Sequence, residues 1–386
     1  LLAAQFAGGY WLLNVACPLI FMIRQIVTVS EKFMIPSGQG FESLQAEVID
    51  LIDRLPMLKH SEWIERSLST IVQMASEDLD RLDWKIISSS LRDMESAFEM
   101  FYPYRHVRKI VIFGSARVSP TSAEYLMARD FGRAIAQQGF MVITGGGGGI
   151  MQAGNEGATA ERSFGLNIQL PFEQGSNPFI AGDSKLLNFK YFFTRKLFFL
   201  RESDALALFP GGFGTLDEAF ECLTLIQTGK FGPAPVILID RPGGDYWHDW
   251  NTFVQKQLRG RGLISADDRS LYTITDDVNV ACEAIASFYL VYHSCRYVRE
   301  QLVIRLKTEL SEENVDRLNT DFSDIVVTGK IAKSKALPPE IEDPTFDLPR
   351  LTLHFNQRNL GRLYQLIAAI NQMGSASPAA AHPEQK

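Results

Sequence analysis

Glu218 stands three residues after Thr215, directly behind the run Pro210-Gly211-Gly212-Phe213-Gly214. That spacing has two readings. In the first, a capping box, the Thr215 hydroxyl accepts from the Glu218 N–H and the glutamate reciprocates. In the second, a carboxylate sits in the first turn of a helix opening straight out of a ligand loop. There it can face positive charge developing on a sugar carbon, or orient a water. Glu221 follows about one turn on, towards the same side, and either shares that work or is solvated. Asp217 is expected to point elsewhere. Arg195 and Lys196 close an aromatic stretch, Phe189 to Phe193. An arginine offers phosphate a planar fork that lysine cannot reproduce, so Arg195 is the stronger anion ligand of the pair. The plain alternative is a basic pair at a helix start.

Three glycine-containing turns surround these residues in the chain. They are Gly114-Ser115-Ala116-Arg117, the run Gly145 to Gly149 followed by Ile150-Met151, and the Pro210 to Thr215 turn. Glycines let successive N–H groups face an anion, and the helix that follows adds its unpaired donors and dipole. Together the turns predict a phosphate or phosphosugar site. Its expected members are Gly114, Ser115, Gly146, Gly147, Gly148, Gly211, Gly212, Gly214 and Thr215, with Lys196 and Glu221 at its margin. No G-x-x-x-x-G-K-[ST] occurs, which excludes a nucleoside-triphosphate loop of that type. The five-glycine run follows the second strand, and no acidic ribose partner stands at the expected offset, so hydride-transfer chemistry is unsupported.

These turns must be held by strands. Val107 to Phe113, Phe140 to Thr144, Phe164 to Leu170, Ala205 to Phe209, Pro235 to Ile239 and Leu271 to Thr275 are short apolar runs. Helical patterns lie between and beyond them: Tyr125 to Gln138, Met151 to Ala160, a helix from Thr215, Tyr246 to Leu258, and Val278 to Tyr292. The alternation predicts an α/β fold, a Rossmann-like, mostly parallel sheet with helices on both faces, over residues 105–300. A helical N-terminal region, 40–104, precedes it, with apolar spacings such as Leu44, Val48, Leu51, Ile52 and Leu55. A C-terminal extension, 301–373, follows. There Leu302 to Leu310 reads as helix, Ile325 to Val327 as a short strand, Pro338 to Pro349 as an acidic connector and Phe355 to Met373 as helix. The tail, 374–386, reads as disordered.

Composition narrows the partners. The 386 residues carry 38 Lys and Arg against 45 Asp and Glu, a net charge of −7, so no basic coat for nucleic acid exists. Cys17, Cys222, Cys282 and Cys295 are scattered, as are the six histidines, and neither set shows metal-ligand spacing. No metal site and a reducing, cytoplasmic setting are expected. Leu1 to Ile23 carries no charged residue or histidine. It reads as an upstream or incorrectly started segment, a packed apolar arm, or a membrane anchor, the last the least favoured.

Pro210-Gly211-Gly212-Phe213-Gly214-Thr215-Leu216-Asp217-Glu218 resembles the PGGxGTxxE signature of the LOG ("lonely guy") family, whose members long carried the label lysine decarboxylase-like. Gly114-Ser115, the Gly145 to Met151 run and Arg195-Lys196 match in order and spacing, over about 105–295. The resemblance implies a phosphoribohydrolase that cuts a nucleoside 5′-monophosphate into free base and ribose 5-phosphate, without a cofactor. It implies that Arg195 and Glu218 are catalytic and that the protein is a homodimer, or an oligomer built from dimers, with sites near the subunit interface. No pyridoxal-phosphate framework accompanies the matches. Phe192-Phe193-Thr194 stands where many short members carry a Met-His tract, which bears on base selectivity. The competing class is a non-catalytic carrier of a nucleotide or phosphorylated cofactor on the same sheet.

Overall fold

The structure, a computed structural model, describes residues 43, 46–51, 59–170, 175–340 and 343–375. The apolar segment Leu1 to Ile23, much of the Leu44 to Leu55 run and the tail beyond 375 lie outside the described residues. The chain divides into two compact units, Leu1–Ile87 and Ser88–Lys386. In the first, residues 46–51 are helical and α1 spans Ser61–Ala75, with no buried residue. Helix α2, Arg81–Phe101, starts there and runs into the second unit. Among the described residues no helix is long and apolar enough to cross a membrane.

The second unit is built on seven parallel strands: β1 Lys109–Phe113, β2 Met141–Thr144, β3 Ser163–Ile168, β4 Leu186–Phe189, β5 Ala205–Leu208, β6 Val236–Ile239 and β7 Thr273–Thr275. Their order is β4-β3-β2-β1-β5-β6-β7. The central strands are apolar throughout because both faces are covered. Alternate residues of β1 serve different cores. Val111 and Phe113 meet residues of α2, α5 (Phe192–Arg201), α6 (Phe213–Gln227) and α7 (Tyr246–Phe253). Ile110 and Ile112 meet α3 (Ala123–Gln137), α4 (Ile150–Ala158) and α8 (Val278–Phe288). The Rossmann-like expectation is met. The chain builds outward from β1 to β4, then returns to place β5 on the other side of β1. The order therefore reverses between β1 and β5, where open α/β sheets hold ligands beyond the strand ends.

Several local expectations change. Leu302 to Leu310 is not helical: Gln301–Leu306 is strand β9, lying between β11 (Arg350–Leu353) and β8 (Tyr292–Val298). With β10 (Ala332–Ser334) these make a four-stranded antiparallel sheet, β10-β11-β9-β8. A short run such as Gln-Leu-Val-Ile-Arg-Leu suits a buried strand as well as a helix, and pairing on both edges decides it. Ile325 to Val327 holds only a bridge, Val326 to Phe355. The last helix, α10, starts at Leu360 and not at Phe355. Helices α9 (Glu312–Asp321) and α10 cover this sheet with a separate apolar core. Tyr292 begins β8 instead of ending α8, and α7 continues through a π turn, Val254–Leu258.

Candidate active site

The three glycine turns meet at the reversal point. Ser115 N–H donates to the Pro210 carbonyl at 3.1 Å, and the Ser115 carbonyl accepts from Ile150 N–H at 3.0 Å. One residue of the first turn thus ties down the other two. Gly149 has φ 62°, and a Cβ there would overlap the Ser115 carbonyl, so this crossing demands glycine.

Buried amides hold the five-glycine turn from behind. Thr144 Oγ1 accepts from Gly146 N–H at 3.0 Å and donates to Asn155 Oδ1 at 2.7 Å. Asn177 Nδ2 donates to the same Oδ1 at 2.9 Å and to the Gly147 carbonyl at 3.0 Å, while its N–H donates to the Gly146 carbonyl at 2.8 Å. Neither asparagine stood out in the sequence, since their contacts come from segments 9 to 31 residues apart and lone asparagines carry no spacing signal.

In the third turn a Cβ on Gly211 would overlap Thr215 Oγ1, and Tyr246 Oη donates to the Gly211 carbonyl at 2.7 Å. Gly212 and Gly214 are exposed, and a Cβ on either would meet nothing within 4 Å. Helix α6 begins at Phe213, with Gly212 as a cap that offers no side-chain acceptor. Thr215 therefore lies inside the first turn and the capping box with Glu218 does not form. The two glycines before Phe213 start the helix three residues sooner than the Thr-Glu spacing suggests. Phe213 itself is 93% exposed.

Glu218 is buried on the first turns of α6. Burial raises its pKa to about 7, against a pull downward from Lys196 and Arg195 and a further push from Glu221 and Asp217. Lys196 Nζ lies 3.9 Å from Glu218 Oε2, but 2.6 Å from both Asp217 Oδ2 and Glu221 Oε2. Asp217 thus does not point elsewhere; it shares Lys196. Burial lowers the Lys196 pKa, but its bonds to Asp217 and Glu221 outweigh this and leave it raised. Lys196 holds charge among three carboxylates, and its ammonium is engaged with protein in this conformation.

Arg195 projects from α5 between aromatic rings, 4.9 Å from the Phe192 centroid and 5.3 Å from that of Phe199. Its Nη1 sits 3.8 Å from where a Cβ on Gly145 would be, so the guanidinium lies against the five-glycine turn. Burial lowers its pKa, opposed by the charge of Glu218. Its Nε is buried without a hydrogen-bond partner among the described residues. An unmet buried donor is costly, so an acceptor arriving with a ligand would gain the full bond. The arrangement offers exposed N–H groups at a helix start, an arginine lacking an acceptor and a carboxyl that exchanges protons near neutrality.

Residues 148–285 match the family model Lysine_decarbox, "possible lysine decarboxylase". Over 179 residues the chain is 29% identical to the cytokinin riboside 5′-monophosphate phosphoribohydrolase of Mycobacterium tuberculosis (strain ATCC 25618 / H37Rv), covering 44% of this chain and 89% of that protein. Both matches support the resemblance to the LOG family over that part of the chain. Among solved structures, this chain is similar to a molybdenum cofactor binding protein from the phototrophic bacterium Rippkaea orientalis (20% identity, 47% of this chain, 97% of that one, TM-score 0.34). It is also similar to the molybdenum cofactor carrier protein of Chlamydomonas reinhardtii (20% identity, 47% and 96%, TM-score 0.33). At such values neither bears on what this protein binds.

Proposed function

We propose that this protein hydrolyses the N-glycosidic bond of a nucleoside 5′-monophosphate, giving free base and ribose 5-phosphate. The observation that carries the reading is the pairing of a buried Glu218, with pKa about 7, and an Arg195 whose buried Nε has no acceptor among the described residues, beside three joined glycine turns. The phosphoribohydrolase relative from M. tuberculosis supports it at the level of the family. In this reading the N–H groups of Gly211, Gly212, Gly214 and Thr215 hold the 5′-phosphate at the start of α6. Gly114, Ser115 and Gly146 to Gly148 admit the sugar close to backbone. As the C1′–N bond breaks, the base leaves with the bonding pair and takes up a proton. Positive charge spreads over C1′ and the ring oxygen, where the Glu218 carboxylate stabilises it. The oxygen of a water then bonds to C1′ and one of its protons passes to Glu218, which releases it to the solvent that protonated the base, so that H and OH add across the broken bond. Arg195 binds phosphate or orients the sugar and Glu218; Lys196 and Glu221 set the charge around Glu218.

The test incubates purified protein with AMP, GMP, CMP and isopentenyl-AMP and quantifies free base by chromatography, with Glu218→Gln in parallel. Base release lost in the variant supports the reading. Tight nucleotide binding with no release from any substrate, and unaffected by the variant, would instead favour a carrier. The same reading has the protein acting as a homodimer, supported by the exposed Phe192, Phe193 and Leu197 on α5. Light scattering of the purified chain at working concentration decides it, and a monomer that turns over substrate overturns it.

A further inference from the structure

Helix α5 carries Arg195 but cannot cap itself. Its N-cap residue, Tyr191, offers no side-chain acceptor, although the first turn of any helix leaves N–H groups open. The acceptor comes instead from α2, about a hundred residues earlier. Asp93 receives Lys190 N–H at 3.0 and 3.2 Å, Tyr191 N–H at 3.3 Å and the Thr194 hydroxyl at 2.7 Å. Asp93 is buried, and among the described residues it forms no ion pair with a lysine or arginine. Its charge is met by these donors and by the positive end of the helix. Thr194, itself fully buried, is the residue immediately before Arg195.

We infer that Asp93 is the positioning residue for Arg195, so that a helix outside the 148–285 family match sets part of the active site. The inference rests on the reading of Arg195 as a substrate-contacting group. Three donors, the N–H groups of Lys190 and Tyr191 just before the helix and the Thr194 hydroxyl in its first turn, tie the start of α5 to Asp93 both along and around its axis. Arg195 follows Thr194 by about 100° of helical rotation. A roll of α5 by about 10° would carry its guanidinium roughly 1 Å across the Gly145 turn, a displacement of the size that can cost about 10²-fold in rate. Hydrophobic packing by Phe198, Phe199 and Leu200 holds the helix down, but apolar contacts tolerate such a roll better than directed bonds do.

The decisive experiment is a double-mutant cycle on kcat/KM for the best nucleotide of the panel, using Asp93→Ala and Arg195→Ala singly and together. Asp93→Ala should lower kcat/KM by roughly 10- to 100-fold with Arg195 present and by less than about 3-fold when Arg195 is already alanine. Equal factors in both backgrounds would mean Asp93 only supports the fold, and would overturn the inference. Asp93→Asn keeps the size and one acceptor oxygen, so it should recover part of the loss. A crystal structure of Asp93→Ala supplies a readout that needs no turnover. A shifted Arg195 beside an intact sheet supports the inference even if no nucleotide is hydrolysed, in which case the proposed reaction fails alone. An Arg195 unmoved against Gly145 sinks the positioning role whatever the activity.

Discussion

Among the described residues two glutamates are buried, Glu218 beside the parallel sheet and Glu340 beside the antiparallel one, and they sit on opposite sides of their ordinary pKa. Burial pushes both upward. At Glu340 it is outweighed by Leu337 N–H at 3.2 Å, Arg305 at 2.7 and 3.2 Å and Arg350 at 3.1 Å, and the pKa falls below the ordinary value. At Glu218 the nearest cation is Lys196 at 3.9 Å, already bound more closely by Asp217 and Glu221, so burial prevails. Both carboxyls are dry; partners decide whether a dry carboxyl stays charged. The structural glutamate has all of its partners in the protein, and the proposed catalytic one does not.

The largest expected break in that comparison is chemical. Glu218→Gln should reduce base release by about 10³-fold, within the usual reach of a group that handles protons and charge at the reacting carbon. Glu340→Gln should leave turnover per folded molecule unchanged. Parallel assays on both variants, normalised to folded protein, check this, and comparable losses would erase the distinction. Glu340→Ala should instead cost stability, about 3–5 kcal/mol by denaturant titration, because it takes the carboxylate from a fully buried Arg350 and leaves Arg305 with Asp343 as its acid partner.

The pH dependence sharpens the comparison because the signs differ. Glu218 is raised from 4.5 to about 7. Below pH 4.5 it is neutral in both folded and unfolded chains and carries no penalty. As pH rises through that interval the unfolded chain ionises first, so the folded state loses stability, up to about 3 kcal/mol above pH 7. Glu218→Gln should therefore raise the melting temperature at pH 8 and leave it nearly unchanged at pH 4.5. Glu340 behaves in reverse: its contribution is present above its ordinary 4.5 and is lost as pH falls through its lower folded value. A Glu218→Gln protein with a wild-type melting profile across this range would show that Glu218 is solvated.

How much of this was legible beforehand follows the same divide. The parallel sheet announced itself through runs such as Lys-Ile-Val-Ile-Phe punctuated by glycines, because local composition there reports two-sided burial. The meeting of Glu218, Arg195 and the three turns was legible from their order along the strands. Asp93 was not, since a single aspartate on an amphipathic helix looks solvated until its partners, 97 to 101 residues away, are placed. Glu340 was hidden likewise inside what reads as an acidic connector, and β9 inside a run too short to show a period. The Thr215-Glu218 spacing misled because the glycines that open the turn also move the helix start.

The smallest effect tests the glycines one at a time. Gly211 is required by the protein itself, since a Cβ there would overlap Thr215 Oγ1 and crowd Ser115 N. Gly211→Ala should cost roughly 1–3 kcal/mol of stability through that overlap. Gly214 is different: it lies in the first turn of α6, faces open space and has no positive φ. Alanine there should stabilise the helix by about 0.5–1 kcal/mol. If the turn exists to bring backbone N–H groups against a phosphate, the same methyl should stand between them and weaken nucleotide monophosphate binding by roughly 10-fold, about the 1–2 kcal/mol of one charge-assisted bond. Thermal melts and calorimetric titrations of Gly214→Ala read the two effects separately. A protein that is more stable and binds worse shows a glycine kept for its ligand, whereas one that is more stable and binds equally well moves the phosphate away from the start of α6.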